Sequence, residues 1–222
     1  MSKIIFDIET AGKDFDQLDD HFKEYLLKWS KTDEEIETVK ESLSFYPNTA
    51  VIVAIGMLNP DTLKGAVYYQ NGGNNTDYFE EKGIKYKPCT EKEILENFWN
   101  VINKYDTFVT FNGRAFDCPF IMIRSAVHKL IPLRNLMPNR YGDEHIDLLD
   151  RLSFYGATKR KFSMDIWCRT FGITSPKSDE VSGYYVKDMF KNGQYKEIAR
   201  YCAGDLFATK ELLLIWEKYI RK

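Results

Sequence analysis

The 222-residue sequence has no long hydrophobic run: the longest, Ala50 to Leu58, falls far short of the about 20 apolar residues that a membrane span requires. Its N-terminus opens on the strand-like Ile4, Ile5 and Phe6 instead of a charged segment followed by an apolar one, so a cytoplasmic chain without a secretory leader is expected. Cysteine is sparse. Cys89, Cys118, Cys168 and Cys202 lie far apart with no Cys-x-x-Cys pair, which argues against a disulfide framework or structural zinc site, so reduced core thiols are expected. The only histidines are His21, His128 and His145, and His145, near Asp147, is expected to be structural or at the surface. Positive charge is not in excess either: the formal net charge is −2, unlike proteins that grip duplex phosphates with clustered Lys and Arg. No linker rich in Pro, Gly or Ser and no internal repeat divides the chain, so residues 1–222 read as one domain, with Asn71 to Asp77 a turn within a sheet.

What the sequence does hold is acid in three separated contexts. Asp7 and Glu9 follow the apolar run Ile4–Phe6, and the alternation of side chains along a strand points both carboxylates to one face. Anions that close raise each other's pKa unless a cation lies between them, and oxygen-only ligands select a hard ion such as magnesium or manganese. A strand-like run from Thr107 to Phe111 turns at Asn112-Gly113 into a segment carrying Phe116 and Asp117, which places a third carboxylate near a strand end, where ligands of α/β sheets gather. Tyr201 and Asp205 stand four apart in a segment whose apolar residues Ile198, Leu206, Leu212, Leu213 and Trp216 recur with helical period, so phenol and carboxylate share one face. Read singly, these are a solvated strand end, a capping aspartate and a core tyrosine. Together and in this order they read as a two-metal phosphodiesterase.

The coarse architecture is mixed α/β. Strands are predicted near residues 3–8, 50–58, 65–70 and 106–111, and helices near 15–29, 91–104, 115–129, 163–171 and 194–219. Between the first two strands, roughly residues 13–49, lies a helical insertion: Phe15, Leu18, Phe22, Leu26 and Trp29 recur at helical steps, and Thr32 with Glu35 forms a capping box for a second helix. The stripe predicts a helical pair packed over the sheet, the alternative being a gate over the site. A second capping box, Thr90 with Glu93, opens a helix bearing Ile94, Leu95, Phe98 and Ile102.

At these residues the chain resembles the DEDD superfamily of 3′–5′ exonucleases. Phe6-Asp7-Ile8-Glu9-Thr10 matches its Asp-x-Glu motif, Asn112-Gly113-Arg114-Ala115-Phe116-Asp117 its second, and Tyr201-Cys202-Ala203-Gly204-Asp205 the Tyr-x(3)-Asp motif of the tyrosine (DEDDy) branch. A histidine-type member would carry its base five residues before the last aspartate, and Arg200 stands there. The stretch Gly183 to Phe190, with Ile198 to Asp205, is similar to the predicted exonucleases related to the proofreading domain of family-B DNA polymerases. The resemblance implies a ribonuclease H-like fold, with a mixed central sheet flanked by helices. It further implies two divalent ions, Mg2+ or Mn2+, on Asp7, Glu9, Asp117 and Asp205, with Tyr201 positioning the attacking water. Thr10 and Asn112 would lie near the terminal nucleotide; Phe116, as an aromatic group beside the site, is either a stack or wedge for its base or simple core.

With the four ligand carboxylates set aside the remaining formal charge is +2, and bound dications would add phosphate-facing charge locally, so few phosphates need be engaged. Arg114, Arg134, Arg140, Arg151, Lys159, Arg160 and Lys161 form a basic run that is either a solvated face or a substrate contact. The expected reaction is release of nucleoside monophosphates from the 3′ end of single-stranded nucleic acid, DNA favoured. The alternatives are an exoribonuclease, a short-oligonucleotide phosphodiesterase, and a catalytically idle nucleic-acid-binding or polymerase-associated module. No polymerase portion is expected, which leaves action in trans in DNA repair, RNA turnover or phage replication.

Overall fold

The structure, a computed structural model, describes residues 1–73, 78–174 and 185–221. The chain runs β1 (Lys3–Gly12), α1 (Asp20–Leu27), α2 (Asp33–Ser42), β2 (Ala50–Leu58), β3 (Gly65–Tyr69), β4 (Phe79–Glu81), β5 (Ile84–Pro88), α3 (Glu91–Ile102), β6 (Thr107–Thr110), α4 (Asp117–Val127), β7 (His145–Asp147), α5 (Leu148–Leu152), α6 (Met164–Thr170), α7 (Val186–Lys191) and α8 (Tyr195–Ile215). The strands form one mixed sheet in the order β4-β5-β3-β2-β1-β6-β7, antiparallel where β1 meets β2 and parallel from β1 through β6 to β7. The expected strands and the later helices are present. The structure adds β4, β5, β7, α5 and α7 among the described residues, while Gly183, Tyr184 and the turn at 74–77 lie outside them.

Strand alternation builds two cores. Ile4, Phe6 and Ile8 face Phe98 and Trp99 of α3 and Phe120 of α4, with the Phe6 and Phe98 rings edge to face at 5.1 Å. Ile5 belongs to the other core, with Ile198, Cys202 and Leu206 of α8. β1 is buried on both sides, which is why its sequence is nearly unbroken Ile and Phe until the acids begin.

The insertion corrects one expectation. The capping box of Thr32 and Glu35 forms, but neither α1 nor α2 contains a buried residue, and Trp29 is 79% exposed and Tyr25 71%. Of the predicted stripe, Phe15 is buried, Leu18, Phe22 and Leu26 are half-buried and Trp29 is exposed, so it forms no core face over the sheet. Both faces of the sheet are already covered by α3, α4 and α8, so α1 and α2 lean on each other, and the chain re-enters the sheet through the buried Leu43 and Ser44. Ser44 is tied to β1 twice: its carbonyl accepts from Thr10 Oγ1 at 2.7 Å and its Oγ accepts from Gly12 N at 2.9 Å.

Candidate active site

Because Ile4, Phe6 and Ile8 point to the α3 side, Asp7 and Glu9 point with Ile5 toward α8. Opposite Asp7 on β2 stands Gly56. A Cβ at that position would lie 2.8 Å from Leu206 Cδ1 and 2.9 Å from Cys202 Sγ, so only glycine lets α8 lie this close across the strands. Cys202 Sγ consequently sits 3.7 Å from the Asp7 carbonyl oxygen, and ligand atoms of Asp7, Glu9 and Cys202 all fall within 4.8 Å of one another. Tyr201 and Asp205 flank that point on α8. The Tyr201 phenol is pushed up by burial first and then by the carboxylates of Asp205, Glu9 and Asp7.

Asp117 arrives from the opposite side. β1 pairs with β6 only over Lys3–Ile5, which leaves the Ile8 amide free to donate to Asp117 Oδ1 at 3.1 Å, between the two acids of β1. The Asp117 side chain is 3% exposed. Burial raises its carboxyl to about 7; the Ile8 and Asp117 amides oppose the shift, and Asp147 and Asp205 add to it. Such a field disfavours negative charge unless a cation enters, and the carboxylate-rich donor set suits a hard one. Burial and the charges of Asp7, Glu9 and Asp205 hold the Cys202 thiol far up, and its Sγ donates to the Asp7 carbonyl.

A family model described as "Predicted 3'-5' exonuclease related to the exonuclease domain of PolB" matches residues 52–220, which contain Asp117, Tyr201 and Asp205 in the required order; Asp7 and Glu9 precede the matched segment. The chain belongs to this exonuclease-related family. It is 27% identical to DNA polymerase 1 of Sulfolobus acidocaldarius over 75 residues, which are 33% of this chain and 9% of that polymerase. Its fold superposes on the family B DNA polymerase of the hyperthermophilic archaeon Pyrobaculum calidifontis with a TM-score of 0.57 at 16% identity, over 98% of this chain and 24% of the polymerase. The fold is that of the PolB-type exonuclease domain, and this chain spans under a quarter of either relative's length.

Three further residues assigned from the sequence have other visible duties in this exonuclease-related chain. Thr10 is buried with its hydroxyl on Ser44. Asn112 adopts φ 62°, a left-handed turn, and its amide donates to Asp147 Oδ1 at 2.9 Å. Phe116 caps α4 and packs on Phe120 at 5.3 Å, half-buried against the α3-side core. His145 is structural, as expected. It is fully buried, stacked on Phe108 at 4.3 Å with Nε2 2.8 Å from Thr110 Oγ1, and burial followed by Arg114, Arg151 and Arg134 pushes it down to about 3.

Asp147 is the residue that sequence reading missed. At the end of β7 and 4% exposed, it accepts from the amides of Asn112 and Leu149 with Oδ1 and from Arg114 N with Oδ2, each at 2.9–3.0 Å. It thereby fixes the strained turn that launches Asp117. The only trace in the sequence is an aspartate closing a three-residue strand, and the partners that give it meaning are backbone groups.

Among the described residues no helix is long and apolar enough to cross a membrane.

Proposed function

We propose that this chain is a metal-dependent 3′–5′ exonuclease that hydrolyses the terminal phosphodiester of single-stranded nucleic acid, DNA in preference, to nucleoside monophosphates. The observation that carries the reading is the convergence of Asp7 and Glu9 from β1, Asp117 from the start of α4, and Tyr201 with Asp205 from α8. Asp7, Glu9, Asp117 and Asp205 would hold two ions, Mg2+ or Mn2+, which when bound supply a lowered water pKa and stabilisation of the leaving 3′ oxygen. The Ile8 amide fixes one oxygen of Asp117, so that acid meets its partners with little freedom left to lose. Tyr201, anchored on the rigid α8 beside Asp205, orients the attacking water. Thr10, Asn112 and Phe116 border the place of the terminal nucleotide.

The test is an end-labelled single strand incubated with magnesium, manganese or chelator. Shortening from the 3′ end that requires a divalent ion is expected, with Asp7→Ala and Asp205→Ala inactive yet folded and Tyr201→Phe slowed. Undiminished cleavage by either aspartate variant overturns the ligand assignment. Equal turnover of ribo- and deoxyribo-strands removes the DNA preference, turnover of dinucleotides alone makes it a short-oligonucleotide phosphodiesterase, and strand binding without cleavage makes it a recruiting module.

A further inference from the structure

Beside the acid cluster, on the β6–β7 edge, lies a cavity of about 260 Å3 lined by Asn112, Arg114, Arg140, Asp147, Asp150 and Lys161. Its two acids are already satisfied. Both oxygens of Asp147 accept backbone amides, and Asp150 takes Arg140 Nε at 2.7 Å and Arg140 Nη2 in a forked pair. Arg114 is held by Nη2 on the Pro138 carbonyl at 2.6 Å, so both guanidiniums are set in place before any ligand arrives. The loop between α5 and α6, which reaches the cavity at Lys161, presents Lys159, Arg160 and Lys161 in succession, all exposed, with the Arg160 guanidinium 5.3 Å from the centre of the Phe162 ring. The other members of the basic run do something different: Arg134 binds carbonyls of Ile102, Tyr105 and Asp106, and Arg151 binds the Gly142 carbonyl, which are ties within the fold.

We propose that this cavity and the Lys159–Lys161 loop receive the backbone phosphates of the single strand immediately upstream of its 3′ end. The inference rests on the exonuclease reading for its direction, because Asn112 is shared between the cavity and the turn that launches Asp117. It accounts for a nucleic-acid surface on a chain of net charge −2: contact is confined to a few phosphates entering past Asn112.

The experiment is fluorescence anisotropy of a short labelled deoxythymidine strand on the full chain in chelator, across a series of salt concentrations. The triple variant Lys159→Gln/Arg160→Gln/Lys161→Gln should bind about tenfold more weakly, with the log-log salt slope shallower by about 2, as the loss of three single-strand phosphate contacts requires. Lys161→Glu alone should weaken binding in the same sense. The matched control Lys23→Gln/Lys28→Gln/Lys31→Gln, on and after α1, should stay within about twofold of the unaltered chain. An unchanged affinity and slope in the triple variant, an equal loss in the control, or no strand binding by the unaltered chain overturns the proposal. Strand binding that depends on these residues, in a chain yielding no metal-dependent products, would instead remove the exonuclease reading and leave this surface standing.

Discussion

Glu91 and Asp117 occupy the same station in two helices and meet opposite fates. Each is the first residue of its helix, each is buried (8% and 3% exposed), and each accepts a strand amide, Ile52 N at 2.8 Å for Glu91 and Ile8 N at 3.1 Å for Asp117. Around Glu91 the protein completes the charge: Arg124 donates through Nε and Nη2 at 2.8 and 2.7 Å, and His128 Nε2 lies 2.8 Å away. Burial alone would raise the Glu91 carboxyl, but Arg124, His128 and the Ile52 amide outweigh it and bring it down. Around Asp117 no guanidinium offsets burial, and the neighbouring Asp147 and Asp205 add to it, so its carboxyl goes up. The same anchoring is thus closed by a guanidinium in one place and surrounded by further carboxylates in the other.

The largest effect should come from opening the closed site. Arg124→Leu leaves Glu91 buried with no guanidinium, and should lower unfolding free energy by about 3–5 kcal/mol in denaturant titrations. Adding Glu91→Leu to it should recover part of that loss, because two apolar side chains leave no stranded charge. A loss under about 1 kcal/mol for the single variant would mean that the pair is not the closure described here.

Asp117→Asn tests the open site from the other direction. A carboxyl raised from the ordinary value near ~3.9 to about 7 holds its proton more tightly in the folded state. Its stabilising contribution is full below the unfolded value, is lost as pH climbs through the folded one, and is flat beyond. The metal-free chain should therefore weaken between about pH 4 and 7, and Asp117→Asn, whose amide oxygen still accepts from Ile8 N, should remove that slope. Stability at pH 8 in chelator should rise by on the order of 2 kcal/mol, with loss of metal-dependent activity. No gain in melting temperature at pH 8 would sink the comparison.

A smaller effect is expected at Asp147. Asp147→Asn keeps the shape but turns an NH2 toward one of three backbone donors, so the Asn112–Arg114 turn loses a hydrogen bond and gains a donor facing a donor. Manganese affinity, read by titration, should fall about tenfold, as when a partner that orients a ligand is lost. Unaltered affinity would mean that the turn holds Asp117 without it.

How much of this was legible varied with where the information lives. The three motifs, four of the strands and the long helices were readable because Asp7, Glu9, Tyr201 and Asp205 sit within regular elements whose period fixes their faces. β5 was missed although Ile84 and Tyr86 are buried while Lys85 is exposed, an alternation that was there to find. β4 and β7 are three residues each, too short for any period, and Asp147 depends on amides that every sequence possesses.

The smallest expected effect lies where periodicity misled. A stripe at helical spacing reports that one face is apolar, and says nothing of what covers it. Trp29 sits beside Lys28, whose Nζ is 5.1 Å from the ring, on a face with no buried neighbour on α1. Trp29→Ala should therefore change stability by less than about 0.5 kcal/mol, whereas Phe98→Ala, in the core between α3 and β1, should cost about 3–5 kcal/mol. A Trp29→Ala loss approaching that of Phe98→Ala would show that the helical pair packs over the sheet after all.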